Sequence, residues 1–132
     1  TTLSGSKIQL ALMRAVLETF FTREAFAPLI ALAKKLEKGI ADVIIKHSAP
    51  WHGVRVGARV EFMCTPTRPR NGGEAAAVIH RPVDVALHHY LLNRGVIVTP
   101  FHNMMLICPS TTEAHVNRLV EGLDRCLAEL LS

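Results

Sequence analysis

Between Asn93 and Glu113 the chain reads NRGVIVTPFHNMMLICPSTTE, and this stretch constrains the fold more tightly than any other. Gly95 stands just past the end of a helical pattern, where a left-handed stop is cheapest for glycine. Val96 to Thr99 and Met104 to Cys108 are apolar runs too short for helices and read as two strands. They join through Pro100-Phe101-His102-Asn103, which gives the pair a polar tip and makes it a candidate pocket wall. Ser110 lies three residues before Glu113, the spacing of a capping box that opens a new helix.

The flanking sequence supplies elements to pack on that pair. Before it, Pro82 starts a helix whose apolar positions are Val83, Ala86, Leu87, Tyr90 and Leu91; after it, Val116, Leu119, Val120, Leu123, Leu127 and Leu130 form a stripe at helical spacing. Further upstream, Val54, Val56, Ala58, Val60 and Phe62 alternate with polar residues, a period of two that reads as one strand with one buried face. Gly57 then marks a bulge or a close backbone approach, and Arg55 and Arg59 share the polar face. Thr22 caps a long helix running through Phe26, Leu29, Ala33, Leu36, Ile40 and Val43, with Pro28 inside its first two turns. This helix is expected to cover a sheet, and Thr65-Pro66 to Gly73 to be a surface loop. At the start, Ile8, Leu10, Leu12, Met13, Val16 and Leu17 give a helix with a broad apolar face, capped by Ser4 or Ser6; hydroxyls and Gly5 at a helix N-terminus also suit an anion. The expected fold class is α+β, a small antiparallel sheet covered by helices.

At 132 residues the chain has the length of one domain. Its formal charge of +4 comes from scattered residues; Lys34, Lys35 and Lys38 read as a solvated helix face and Arg68 and Arg70 as loop residues, so nucleic acid is not an expected partner. Cys64, Cys108 and Cys126 are odd in number and sit in apolar surroundings, which suits reduced, buried thiols of a cytoplasmic protein. No apolar run is long enough for a membrane span, and none is expected. The adjacent His88 and His89 point to different sides of a helix, one packed and one toward solvent, and no metal site is expected.

NRGV, TPFHNM and PSTTE, in this order and spacing, together with the opening TTLSGS, resemble the C-terminal small domain of class III (fold-type I) pyridoxal-phosphate-dependent aminotransferases, in the branch of glutamate-1-semialdehyde aminomutases and β-amino-acid transaminases. TTLSGS is similar to the family's GTxSGN stretch, with Thr1 in place of the usual Gly and Ser6 in place of Asn. The resemblance covers nearly the whole chain and implies that residues 1–132 are the small domain with the preceding interdomain helix. The large cofactor-binding domain is then absent from this chain.

The resemblance also implies a cofactor, pyridoxal 5'-phosphate, and a homodimer in which Thr2 reaches the cofactor phosphate of the partner's active site. It implies amino acid and keto-acid substrates and amino-group transfer between them, with the aminomutase reaction as the alternative. An arginine fork suits a substrate carboxylate, and Arg94 is the candidate here; the competing role for Arg94 is to neutralise its helix's C-terminal dipole. His102 and Asn103 are the other candidate substrate contacts, His102 alternatively supporting the bend. The cofactor lysine of the family lies upstream of the Thr motif, whereas Lys7, Lys34, Lys35, Lys38 and Lys46 all follow it, so the chain alone is expected not to transaminate. A different class remains open: a free-standing, non-catalytic α+β binding or regulatory module.

Overall fold

The structure, a computed structural model, describes residues 5–99 and 102–131. Along the chain come α1 (Lys7–Thr19), α2 (Arg23–Lys46), β1 (His52–Val56), β2 (Arg59–Met63), α3 (Gly72–Ala77), α4 (Arg81–Leu92), β3 (Asn103–Leu106) and α5 (Glu113–Leu130). The three strands form one antiparallel sheet in the order β1-β2-β3. One face of it is covered by α2, against which α5 packs, with α4 against α5. The α+β expectation therefore holds.

The core lies where those layers meet. Ala33, Leu36 and Ile40 of α2, Val60 and Phe62 of β2 and Leu123 of α5 have almost no exposed surface, each large side chain worth about 1.5–3 kcal/mol of transfer free energy on burial. Phe62 also stacks on Trp51, ring centroids 5.8 Å apart and 9° from parallel. Two glycines set helix spacing: a Cβ on Gly39 would meet Val120 at 2.7 Å, and one on Gly122 would meet Leu91 at 3.0 Å. Pro28 lies inside α2 near its start, where the helix continues through it.

The long strand expected over Val54 to Phe62 is two strands. Val56 pairs with Arg59 across a two-residue turn, Gly57-Ala58, in which Gly57 takes a left-handed φ of +58°. Because the turn has two residues, each even-numbered position of β1 faces an odd-numbered one of β2, so the alternation continues along the sequence while the faces exchange. Val60 and Phe62 point into the core, whereas Val54 and Val56 lie on the other side, Val56 76% exposed. Arg55 and Arg59 consequently sit on opposite faces rather than sharing one: Arg55 Nε donates to Glu37 of α2 at 2.7 Å, and Arg59 Nη2 to Glu61 at 2.7 Å.

The expected strand over Val96 to Thr99 carries no ladder. This segment is fastened through side chains instead: His88 Nδ1 donates to the Val98 carbonyl at 2.8 Å and the Thr99 hydroxyl to the Met104 carbonyl at 3.3 Å. His88 is thus the packed member of the histidine pair and His89 the exposed one. The cap of α5 is Thr112, not Ser110, and its box partner is His115. Ser110 and Thr111 serve Cys108, which is exposed rather than buried; Cys64 is half-buried and Cys126 buried, and all three are free. At α1, Ser6 holds the N-cap position without a side-chain bond, and Ser4 lies outside the described residues. Thr22 caps α2 as expected, accepting from Ala25 N. The loop before α3 ends in an Asn71 cap, and Arg70 pairs with Glu74.

α1 buries none of its own residues, and its apolar side chains stand in the open: Ile8 is 74% and Leu12 62% exposed.

Candidate functional site

The open side of the sheet is where polar chemistry collects. Glu61 pairs in register with Val54 and Met104, and with Arg59 it points away from α2. Its two carboxylate oxygens are both engaged: one takes Arg59 Nη2 at 2.7 Å, and the other lies 3.2 Å from Nδ1 of His102. His102 is held at the start of β3, with its side chain 30% exposed. An arginine, a glutamate and a histidine thus form one polar row running from the central strand β2 to the residue before β3.

The next residue turns the other way. Asn103 opens β3 opposite Phe62, on the core face, and is buried. Its Nδ2 donates to Asp84 Oδ1 at 2.9 Å. Asp84 belongs to the first turn of α4, where the helix's positive end favours a carboxylate; the Cys64 sulfur lies 4.0 Å from the same oxygen. Burial, reinforced by the Asp84 charge, pushes the Cys64 thiol up to about 12, so it stays protonated. A cleft of about 30 Å³, one water in size, is lined by Glu61, Cys64, His80, Asp84, His102 and Asn103.

The sequence-predicted site residues therefore part company. His102 and Asn103 stand together at this corner. Arg94 belongs to a different cluster: its guanidinium lies 3.5 Å over the Tyr90 ring, Nη1 donates to the Tyr90 carbonyl at 3.3 Å, and Nη2 is 3.7 Å from Glu129. That is the helix-terminus role, a cation on the last turn of α4. Thr2 lies outside the described residues. Glu61 and Asp84, which hold the corner from two sides, were not singled out in the sequence. The only signal for Asp84 was an acid in a helix's first turn, and Glu61 was one of several polar residues in an alternating run.

Three of the five lysines are taken up in ion pairs. Lys35 pairs with Glu113, Lys38 with Asp42 and Lys46 with Asp124, all at the surface. Among the described residues no group of three or more His, Cys, Asp or Glu could hold a metal, and no helix is long and apolar enough to cross a membrane.

A larger groove of about 640 Å³ runs between the Gly95–Thr99 segment and β3, with Arg118 among its lining residues. Arg118 donates to the Arg94 carbonyl at 2.9 and 3.3 Å and so caps α4 from α5. Gly95, with φ +76°, leaves room for it: a Cβ there would lie 2.5 Å from Arg118 Nη2.

No family model and no curated protein matches the chain. Among solved structures, a glutamate-1-semialdehyde aminomutase from Pseudomonas aeruginosa PAO1, also solved in complex with PMP, is 44% identical over 96% of this chain with a TM-score of 0.91. This chain spans 28% of that enzyme's length. An omega-transaminase from Sphaerobacter thermophilus (20% identity, 90% of this chain and 26% of that one, TM-score 0.68) and a β-phenylalanine aminotransferase from Variovorax paradoxus (19%, 87% and 26%, TM-score 0.77) share the fold.

Proposed function

We propose that this chain belongs to the pyridoxal-phosphate-dependent aminotransferase family and is the small domain of an enzyme that moves an amino group between an amino acid and a keto or aldehyde acceptor. The observation that carries this reading is the 44% identity over 96% of the chain to an aminomutase, at a TM-score of 0.91. When bound, pyridoxal phosphate would supply an acceptor for the amino group and a sink for the electrons released from the substrate.

The residues of this chain bind and orient; they supply no attachment for the cofactor. His102, with Glu61 against its Nδ1, presents its ring at the open edge of the sheet, where it can hydrogen-bond a polar substrate group. Glu61 in turn is held by Arg59, so the row is fixed before substrate arrives. Asn103 secures the backbone from the core side. Arg94 serves the substrate only after releasing Tyr90 and Glu129, and its first role is to finish α4. Thr2 is proposed to contact the cofactor phosphate across a homodimer, and the cytoplasm is the proposed location. Residues 1–132 then form the small domain with its leading helix, inactive without the large domain.

The aminomutase reaction is the second reading, favoured because the 44% identical structure is an aminomutase whereas the transaminases share the fold at 20% identity or less. The test is product analysis with the full-length polypeptide and pyridoxal phosphate. A reaction that needs a separate keto acceptor supports the transaminase; isomerisation of a single amino aldehyde supports the aminomutase. No amino-group movement with either substrate class refutes both.

A further inference from the structure

We infer that Asp84 is the positioning residue of the His102 corner: its carboxylate fixes Asn103 in the core and thereby turns His102 outward to the substrate side. This deepens, and rests on, the reading of His102 as a substrate contact. The ladder between β2 and β3 reaches only as far as the Phe62–Asn103 pair, so His102 lies beyond the last strand pairing. On the core side the corner is tied to α4 by the buried bond from Asn103 Nδ2 to Asp84 Oδ1, 2.9 Å long. Asp84 is 9% exposed and Asn103 5%.

A carboxylate is an acceptor only, so it selects the amide's N–H side and fixes the Asn103 rotamer. Successive side chains of an extended chain project to opposite faces. With Asn103 drawn toward α4, His102 is directed to the opposite face, where Glu61 meets its Nδ1. Two acids from different elements, Asp84 on α4 and Glu61 on β2, thus hold two consecutive residues from opposite sides. Without Asp84, the Asn103 amide is a buried donor with no acceptor, a state costly enough to turn the side chain out and carry His102 with it.

The test uses the full-length polypeptide, with donor KM, kcat and thermal midpoint measured for each variant. Asp84→Ala is expected to raise the donor KM about tenfold, the equivalent of one well-placed hydrogen bond, with kcat changed less than about twofold. Asp84→Asn, whose side-chain oxygen can still accept from Asn103, is expected to stay near the parent KM. The decisive variant is the apolar pair Asp84→Leu with Asn103→Leu, which removes both polar partners and refills the space, so that the thermal midpoint recovers. Positioning predicts that its KM stays raised; recovery of KM together with the midpoint overturns the inference. His102→Ala separates the two layers of argument. If it leaves KM unchanged, the site reading fails and the inference with it; if it raises KM while Asp84→Ala does not, the inference alone fails.

Discussion

Gly39 offers a quantitative test of how α2 and α5 meet. A methyl group placed there would lie 2.7 Å from one Val120 methyl and 3.2 Å from the other. Valine in a helix is confined almost to one rotamer, so its two methyls cannot both swing aside. Alanine at position 39 adds about 1 kcal/mol of helix propensity. Forcing a methyl into a filled space costs roughly 1–3 kcal/mol, and with two methyls in the way the upper half of that range applies. Gly39→Ala should therefore destabilise by about 1–2 kcal/mol net. Val120→Ala removes the obstacle and, being only partly buried, costs about 1 kcal/mol alone. In the double variant the two alanines fit and the propensity gain is expressed, leaving stability near the parent and a coupling energy of about 2–3 kcal/mol. Urea unfolding followed by far-ultraviolet circular dichroism reads all four corners of the cycle. If Gly39→Ala stabilises by about 1 kcal/mol with or without Val120, the coupling vanishes and the helices do not approach as described.

Further outcomes follow from the same structure. Cys108 should be the thiol that alkylates first, because hydrogen bonds from Ser110 and Thr111 lower its pKa to about 7; labelling should rise through neutral pH, and Thr111→Val should move that rise upward. Cys64 and Cys126, pushed by burial to about 12 and about 11, should stay unlabelled until the chain unfolds. Lys46 and His47 hold the Asp124 carboxyl below its ordinary 3.8, so the stability it contributes is complete above that value and is lost as pH falls through the lower folded value; acid titration of Asp124→Asn should show a shallower loss. Phe62→Ala, at the stacked centre of the core, should cost about 3–5 kcal/mol in urea unfolding. Deleting residues 1–20 should leave that unfolding free energy nearly unchanged, since α1 buries nothing of its own; a large loss of stability would contradict the exposed position of α1.

The four long helices were legible because each carries both a period and a boundary, whereas the six-residue α3, Gly72–Ala77, begins inside the stretch read as a loop. Thr22 and the apolar stripe of α2, and Pro82 and Gly95 around α4, are local signals, and the structure uses them as such. The sheet was less legible for a reason of parity. A two-residue turn leaves the alternation of Val54 to Phe62 unbroken while exchanging the faces, so a hairpin reads as a single strand, and the only local sign of it was Gly57. The Val96–Thr99 segment looked like a strand because extended backbone and apolar residues suit one, yet its carbonyl bonding is taken by His88, a partner far from it in the pattern. The same limit hid the site's supports. His102 and Asn103 stand out in the sequence, but Glu61 and Asp84 act only through three-dimensional approach, which no spacing along the chain encodes. Arg94 has chemistry that suits a carboxylate, and its partners within this chain are an aromatic ring, a helix carbonyl and Glu129.

The central claim is that this chain supplies the corner around His102 but not the attachment point of the cofactor. It is tested most directly by reducing the full-length polypeptide with borohydride in the presence of pyridoxal phosphate and mapping the labelled lysine by mass spectrometry. The account predicts one stoichiometric label at a lysine outside residues 1–132. A stoichiometric label on Lys7, Lys34, Lys35, Lys38 or Lys46, or no label anywhere, would contradict it.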